Sequence, residues 1–171
     1  MKKLWAPWRM TYIKEALQKE AGEECILCSI GKAVDADNEP NLVLARGKYV
    51  FLILNKFPYN NGHLMVVPYK HAGGFSELSD EAVLELWRYA ERAVDVLKKS
   101  FNPDGFNIGF NLGRVAGAGI EDHIHLHIVP RWSGDTNFMP ILSDTKVISQ
   151  ALSDTWAELS KCWNTLFASS S

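Results

Sequence analysis

The sequence predicts an α+β domain built on an antiparallel sheet of about five strands, with one long central helix and a C-terminal helix. Three observations carry this. Asp122 to Arg131 alternates strictly, so that in an extended chain His123, His125 and His127 share one face and Ile124, Leu126 and Ile128 the other. Three earlier apolar runs, Leu42 to Ala45, Tyr49 to Leu54 and Gly62 to Val67, are separated by turn-forming residues. Between these runs and the alternating stretch, Val83, Leu86, Trp87, Ala90, Val94 and Leu97 recur at helical spacing.

The chain of 171 residues suits one domain with a substantial core. We expect an N-terminal arm over 1–24, a core over about 25–132 and a helical extension over 133–171. Apolar residues make up 47% and charged residues 22%, with a formal net charge of -2. That balance argues against a nucleic-acid polymer or a membrane surface as partner, while leaving room for a small basic pocket that takes phosphates. No apolar run approaches the roughly 20 residues of a membrane span, and the start shows no apolar signal segment. The cytoplasm is the expected compartment.

Trp5 to Ile13 is aromatic-rich and reads as a packed arm running into a short helix that breaks near Gly22. Cys25-Ile26-Leu27-Cys28 is placed in the following loop. Arg46-Gly47-Lys48 reads as a hairpin turn, and Asn55 to Asn61 as the connection to the third strand. Ser79-Asp80-Glu81 supplies a cap and acidic first turn for the long helix, whose apolar stripe is core and which ends near Ser100, before Pro103. Gly105 to Asn111 alternates as a strand, and the glycine-rich Gly113 to Gly119 leads into the histidines. Lys146 to Phe167 reads as the final amphipathic helix, through Val147, Leu152, Trp156, Leu159 and Trp163, with Cys162 a small core residue.

The five histidines are confined to two segments, Gly62 to His71 and the alternating stretch. Imidazole can attack phosphorus, move protons near neutral pH and bind zinc. A glycine-rich loop can turn backbone N–H groups toward an anion. Beside three aligned histidines, such a loop makes a phosphate site the economical hypothesis. Three cysteines are no disulfide framework, and a Cys-x-x-Cys pair reads as metal-binding, redox-active or merely buried.

His123-Ile-His125-Leu-His127-Ile-Val129 resembles the signature of the histidine triad (HIT) family of nucleotide hydrolases and transferases, and Asn55-x-x-Pro58-x-x-x-Gly62-His63 resembles its nucleoside-binding segment. The Trp-Ala-Pro-Trp-Arg-Met start and Pro130 to Phe138 look like the bacterial branch that includes diadenosine tetraphosphate phosphorylases. The resemblance implies a HIT-like fold in which His125 attacks the α-phosphorus to form a nucleotidyl-histidine. His127 would contact the transferring phosphate, Asn55 the ribose, and Asn111 the phosphates. Gly117, Ala118 and Gly119 would offer backbone donors to the phosphate. His63 is either an orienting partner or a satisfied structural histidine.

It further implies structural zinc on Cys25, Cys28, His71 and His123, a closed tetrahedral set, and a homodimer that joins two sheets and their long helices. The implied substrates are dinucleoside polyphosphates. Adenosine 5'-phosphoramidase is the alternative activity; relatives of that kind place a serine shortly before the first histidine, whereas Ala118-Gly119-Ile120-Glu121-Asp122 has no hydroxyl. A nucleotide-binding or zinc module without turnover is the non-enzymatic alternative.

Overall fold

The computed structural model describes residues 25–33, 41–117, 119–135 and 148–167. The predicted N-terminal arm and its helix, Ala118 and the start of the expected C-terminal helix at Lys146 and Val147 lie outside these. Five strands, β1 (Val43–Arg46), β2 (Val50–Leu54), β3 (Leu64–Pro68), β4 (Gly105–Phe110) and β5 (Leu126–Arg131), form one antiparallel sheet in the order β1-β2-β3-β5-β4. Helices α1 (Ile26–Lys32), α2 (Asp80–Phe101) and α3 (Leu152–Phe167) and two short 3-10 turns, Phe75–Glu77 and Arg114–Ala116, accompany it. No helix among the described residues is long and apolar enough to cross a membrane.

Both faces of the sheet are covered, which explains why β2 and β3 are apolar throughout rather than alternating. One face sets Leu52, Leu54, Leu64, Val66, Leu126 and Ile128 against α2 and α3, where Leu86, Ala90, Ala93, Leu97, Leu159 and Trp163 close the core. The other gathers Phe51, Ile53, Met65 and Val67 around Leu27 of α1. Met65 pairs directly with His127, so the histidine side of β5 belongs to this second face.

The long helix begins and ends where expected. Ser79 Oγ accepts the Ala82 N–H, Asp80 and Glu81 fill the first turn, and Asn102 in a left-handed conformation (φ 44°) stops the helix before Pro103. Its buried side overlaps the expected stripe at Leu86, Ala90 and Leu97, while Val83 and Val94 are half-buried and Trp87 faces outward. Trp87 is 51% exposed, because burial centres on Leu86, Tyr89, Ala90, Ala93, Val96 and Leu97, and Trp87 instead meets Phe110 of the edge strand edge-on. Glu85 fastens α2 to the sheet by accepting the N–H groups of Lys48, Tyr49 and Val50 at 3.0, 2.5 and 3.1 Å. A Cβ on Gly47 would stand 2.9 Å from both the Glu85 carboxylate and the Tyr89 hydroxyl, so a larger residue there would displace the ends of these side chains.

Three other boundaries depart from expectation. Cys28 lies in the first turn of α1, with Cys25 at its N-cap, rather than in a loop. The final helix begins at Leu152; just before it, Gln150 Oε1 accepts hydrogen bonds from Thr155 and Asn61, which holds the chain out of helical geometry. The third difference concerns β5, whose ladder begins only at Leu126. Pro68 stands at the end of β3 and has no N–H to extend the pairing. His123 and His125 therefore precede the strand, and Ile124 N–H bonds instead to the Ala72 carbonyl at 2.7 Å.

Candidate active site and metal centre

Gly62 sets up the first histidine. Its φ of 72° and its approach to Leu97, where a Cβ would be 3.0 Å from Cδ2, both favour glycine at the turn that drives His63 into the interior. His63 is fully buried, with its ring between the β2–β3 loop and β5. The Tyr59 N–H donates to His63 Nδ1 at 3.1 Å. Asn55 Oδ1 accepts from the Phe57 N–H, which turns Asn55 Nδ2 toward the same imidazole nitrogen at 3.3 Å. Nδ1 of His63 therefore accepts, and its proton sits on Nε2.

That proton determines the next one. His63 Nε2 lies 3.0 Å from His127 Nδ1 and donates to it, so in a neutral His127 the proton is on Nε2. Asn111 Nδ2, which donates to the Tyr59 hydroxyl at 3.4 Å, stands 3.3 Å from His127 Nε2. With the proton on His127 Nε2 both atoms are donors. They converge on a place for an anionic oxygen.

His125 is oriented from the opposite direction. Its Nδ1 lies 2.7 Å from the His123 carbonyl, which can only accept, so Nδ1 carries hydrogen and the neutral ring keeps a bare lone pair on Nε2. Its ring meets His127 edge-on with centroids 4.7 Å apart. The pair thus combines one unprotonated nitrogen with one N–H donor, an arrangement suited to attack on phosphorus with stabilisation of the departing oxygen.

His123 faces away from this pair. Its Nε2 donates to the Pro68 carbonyl at 2.8 Å, leaving Nδ1 as a lone pair aimed at Cys25 Sγ and Cys28 Sγ, both 3.4 Å away. His71 Nδ1 is 3.3 Å from Cys28 Sγ, and the four candidate ligand atoms lie within 4.8 Å of one another. Tetrahedral zinc with arms of about 2.3 Å to sulfur and 2.0–2.1 Å to nitrogen has S···N edges of about 3.6 Å. The cluster fits a small tetrahedral cation in donor type and dimension, and the Pro68 bond fixes the His123 tautomer as carbonyl partners of metal-binding histidines do. Arg46 steadies α1 by donating to the carbonyls of Ile30, Gly31 and Ala33 at its C-terminal end.

The glycine-rich loop makes a short 3-10 turn over Arg114–Ala116, followed by Gly117 at φ 92°. Gly117 and Gly119 are half-buried, and Ala118 lies outside the described residues. Sequence reasoning did not find Tyr59 or Asn60. Asn60 is buried and donates from Nδ2 to the Pro130 carbonyl and to Asp135 Oδ2, tying the His63 loop to the end of β5. Both sit in a Pro-Tyr-Asn-Asn run whose only local signal is turn formation.

Burial pushes His63 well below the ordinary imidazole value, and the nearby His127 and His125 add to this. Burial also lowers His125, opposed by its bond to the His123 carbonyl. For His63 the sign follows directly. A folded pKa below the unfolded value of about 6.5 means that the unfolded chain binds more protons as pH falls, so stability present above about 6.5 is lost below it. We expect urea unfolding to give similar stabilities at pH 7.5 and 7.0 and a decline below 6.5 of up to about 1.4 kcal/mol per pH unit from this group. His63→Gln should make that decline shallower; a wild type as stable at pH 5 as at 7.5 would exclude the effect.

Residues 36–134 match the HIT domain family, and the chain belongs to that family. It is 41% identical over 165 residues to a protein from Mycobacterium tuberculosis named AP-4-A phosphorylase, covering 95% of this chain and 85% of the relative. An adenosine 5'-monophosphoramidase from Schizosaccharomyces pombe is 32% identical over 107 residues, 63% of this chain and 74% of that one. Among solved structures, a Zn-bound histidine triad family protein from Mycobacterium smegmatis superposes with a TM-score of 0.67 at 24% identity, covering 85% of this chain and 97% of the other. The shared architecture agrees with the predicted α+β fold.

Proposed function

We propose that the protein is a nucleotidyl hydrolase or transferase that cleaves dinucleoside polyphosphates, such as diadenosine tetraphosphate, through a covalent intermediate on His125. The observation that carries this reading is the His125 tautomer: Nδ1–H is held by the His123 carbonyl, so Nε2 is available as nucleophile without a separate base. Membership of the HIT family and 41% identity to a protein named AP-4-A phosphorylase support it.

In the proposed first step, His125 Nε2 forms a bond to the α-phosphorus as the bond from that phosphorus to the bridging oxygen breaks. The electron pair leaves with the oxygen, and ATP departs from diadenosine tetraphosphate. His127 Nε2–H faces the departing oxygen and Asn111 Nδ2 a phosphate oxygen; backbone donors of Gly117, Ala118 and Gly119 would add to that stabilisation. Asn55 and His63 hold the loop beside the nucleoside, where Asn55 would reach the ribose on exchanging its present partners. In the second step water or inorganic phosphate attacks the phosphorus, the bond to nitrogen breaks, and AMP or ADP leaves.

Zinc is the proposed occupant of Cys25, Cys28, His71 and His123, where it would pin α1 to the segment that carries His125. Such a thiolate pair suits the reducing cytoplasm. We also propose a homodimer across the edge strand β4, where Asn107, Ile108 and Gly109 are exposed beside Leu84 and Trp87.

Product analysis tests the activity. Incubation with diadenosine tetraphosphate should yield ATP plus AMP in plain buffer if water resolves the intermediate, and ATP plus ADP with inorganic phosphate if phosphorolysis dominates. Adenosine phosphoramidate should be the poorer substrate, since residues 118–122 carry no hydroxyl to protonate an amine. No cleavage of any of these compounds would defeat the enzyme reading and leave a nucleotide-binding module.

A further inference from the structure

We propose that Tyr59 is a positioning residue for the phosphate-facing pair His127 and Asn111, acting through its backbone, its ring and its hydroxyl at once; this rests on the nucleotidyl-transfer reading above. Three separate contacts lead to it. The Tyr59 N–H occupies His63 Nδ1 at 3.1 Å, and this starts the chain of hydrogen bonds that places a proton on His127 Nε2. The phenol ring lies against both imidazoles, with centroids 4.6 Å from His63 and 5.6 Å from His127, the latter stacked at 28°. The hydroxyl accepts from Asn111 Nδ2 at 3.4 Å.

Each contact removes a different freedom. The backbone bond selects the tautomer of the relay, and no side-chain substitution changes it. The ring restrains rotation of His127, whose plane must be held for Nε2–H to point at an oxygen on the phosphate. The hydroxyl engages one of the two Asn111 N–H bonds and so directs the other, 3.3 Å from His127 Nε2, into the same anion position. A free amide would rotate; one anchored at Tyr59 keeps both donors converged before substrate arrives. The ring is partly exposed, at 37%, so the residue closes the outer side of the His63–His127 pair rather than filling the core. Its hydroxyl also stands close to the phosphate-facing donors in a protein whose loop over 118–122 supplies none.

Tyr59→Phe keeps the backbone and ring and removes only the bond to Asn111. Its kcat/KM on diadenosine tetraphosphate should fall about fivefold, the size of one neutral hydrogen bond. In an Asn111→Ala background the same substitution should cost nothing, because its route of action is gone. Tyr59→Leu removes the ring as well and should lose about 30-fold or more. Nitrogen-15 NMR of the imidazoles should show a single Nε2–H tautomer for His127 in all three proteins, because the backbone bond is untouched, and carbon-13 relaxation should show the His127 ring held in the wild type and Tyr59→Phe but more mobile in Tyr59→Leu. The proposal is overturned if Tyr59→Phe matches the wild type, if its loss persists without Asn111, or if the His127 ring in Tyr59→Leu is as rigid as in the wild type. If the wild type turns over no dinucleoside polyphosphate, the functional reading fails, and the NMR comparison alone decides the role of Tyr59.

Discussion

His125→Ala is expected to lower turnover of diadenosine tetraphosphate by about 10⁴-fold or more, the scale seen when the nucleophile of a covalent mechanism is deleted. The substitution removes the one nitrogen whose lone pair the His123 carbonyl leaves bare. It leaves in place the bonds of His63 to Tyr59, Asn55 and His127 and that of Asn111 to Tyr59, since none of these runs through His125. AMP should therefore still bind, with an affinity within about tenfold of the wild type, and calorimetry can read this. A rapid quench with labelled nucleotide should trap label on the wild type and none on His125→Ala. Full activity in the variant would end the proposed mechanism; lost binding together with lost activity would indicate collapse of the site instead.

Cys25→Ser is expected to hold about one metal equivalent fewer than the wild type, measured by metal analysis after gel filtration. Changing groups that merely orient a ligand costs about 10–100-fold in metal affinity, so losing a thiolate should cost more. Stability follows by linkage. At free metal about 100-fold above Kd, the bound ion contributes about 2.7 kcal/mol, which for a chain of this size is about 5–10 °C in Tm. Chelation of the wild type should lower Tm by that order and leave Cys25→Ser unchanged. The sheet should survive, because its larger core, against α2 and α3, contains no residue of α1. Local loosening is expected at α1, where Arg46, Leu27 and the packing of Gly31 against Tyr69 remain. A purified wild type without metal, unaffected by chelator, would remove zinc from the account.

The candidate metal cluster and the proposed nucleophile meet in one residue. The side chain of His123 completes the Cys₂His₂ cluster while its carbonyl holds Nδ1 of His125. Loss of the metal would therefore reach the nucleophile through two bonds of backbone, without any metal ion at the phosphate.

Much of this was legible in the residue order. Strict alternation separated His127 from Leu126 and Ile128, which pack in the core against α2 and α3, because side-chain direction in extended backbone depends on parity alone. The cap at Ser79 and the stop at Asn102-Pro103 were equally local. Trp87 was misjudged because an apolar residue at helical spacing says nothing about what stands opposite it; an edge strand does. The start of β5 was misplaced because pairing depends on the neighbouring strand, and that strand ends in a proline.

The sequence by itself determined which groups could do chemistry: five histidines, a Cys-x-x-Cys pair and a glycine-rich loop, with the parity that separates His127 from Leu126 and Ile128. Only the tertiary structure decided what each imidazole nitrogen is for. A histidine's tautomer depends on whether a donor or an acceptor faces each nitrogen, and for His123 and His127 those partners come from far along the chain, while His125 takes the neighbouring His123 carbonyl. Pro68 faces His123, His63 faces His127, and Tyr59 lies behind His63. Three residues alike in sequence thus divide between two tautomers, Nε2–H at His123 and His127 and Nδ1–H at His125, because hydrogen-bond direction is a property of the fold.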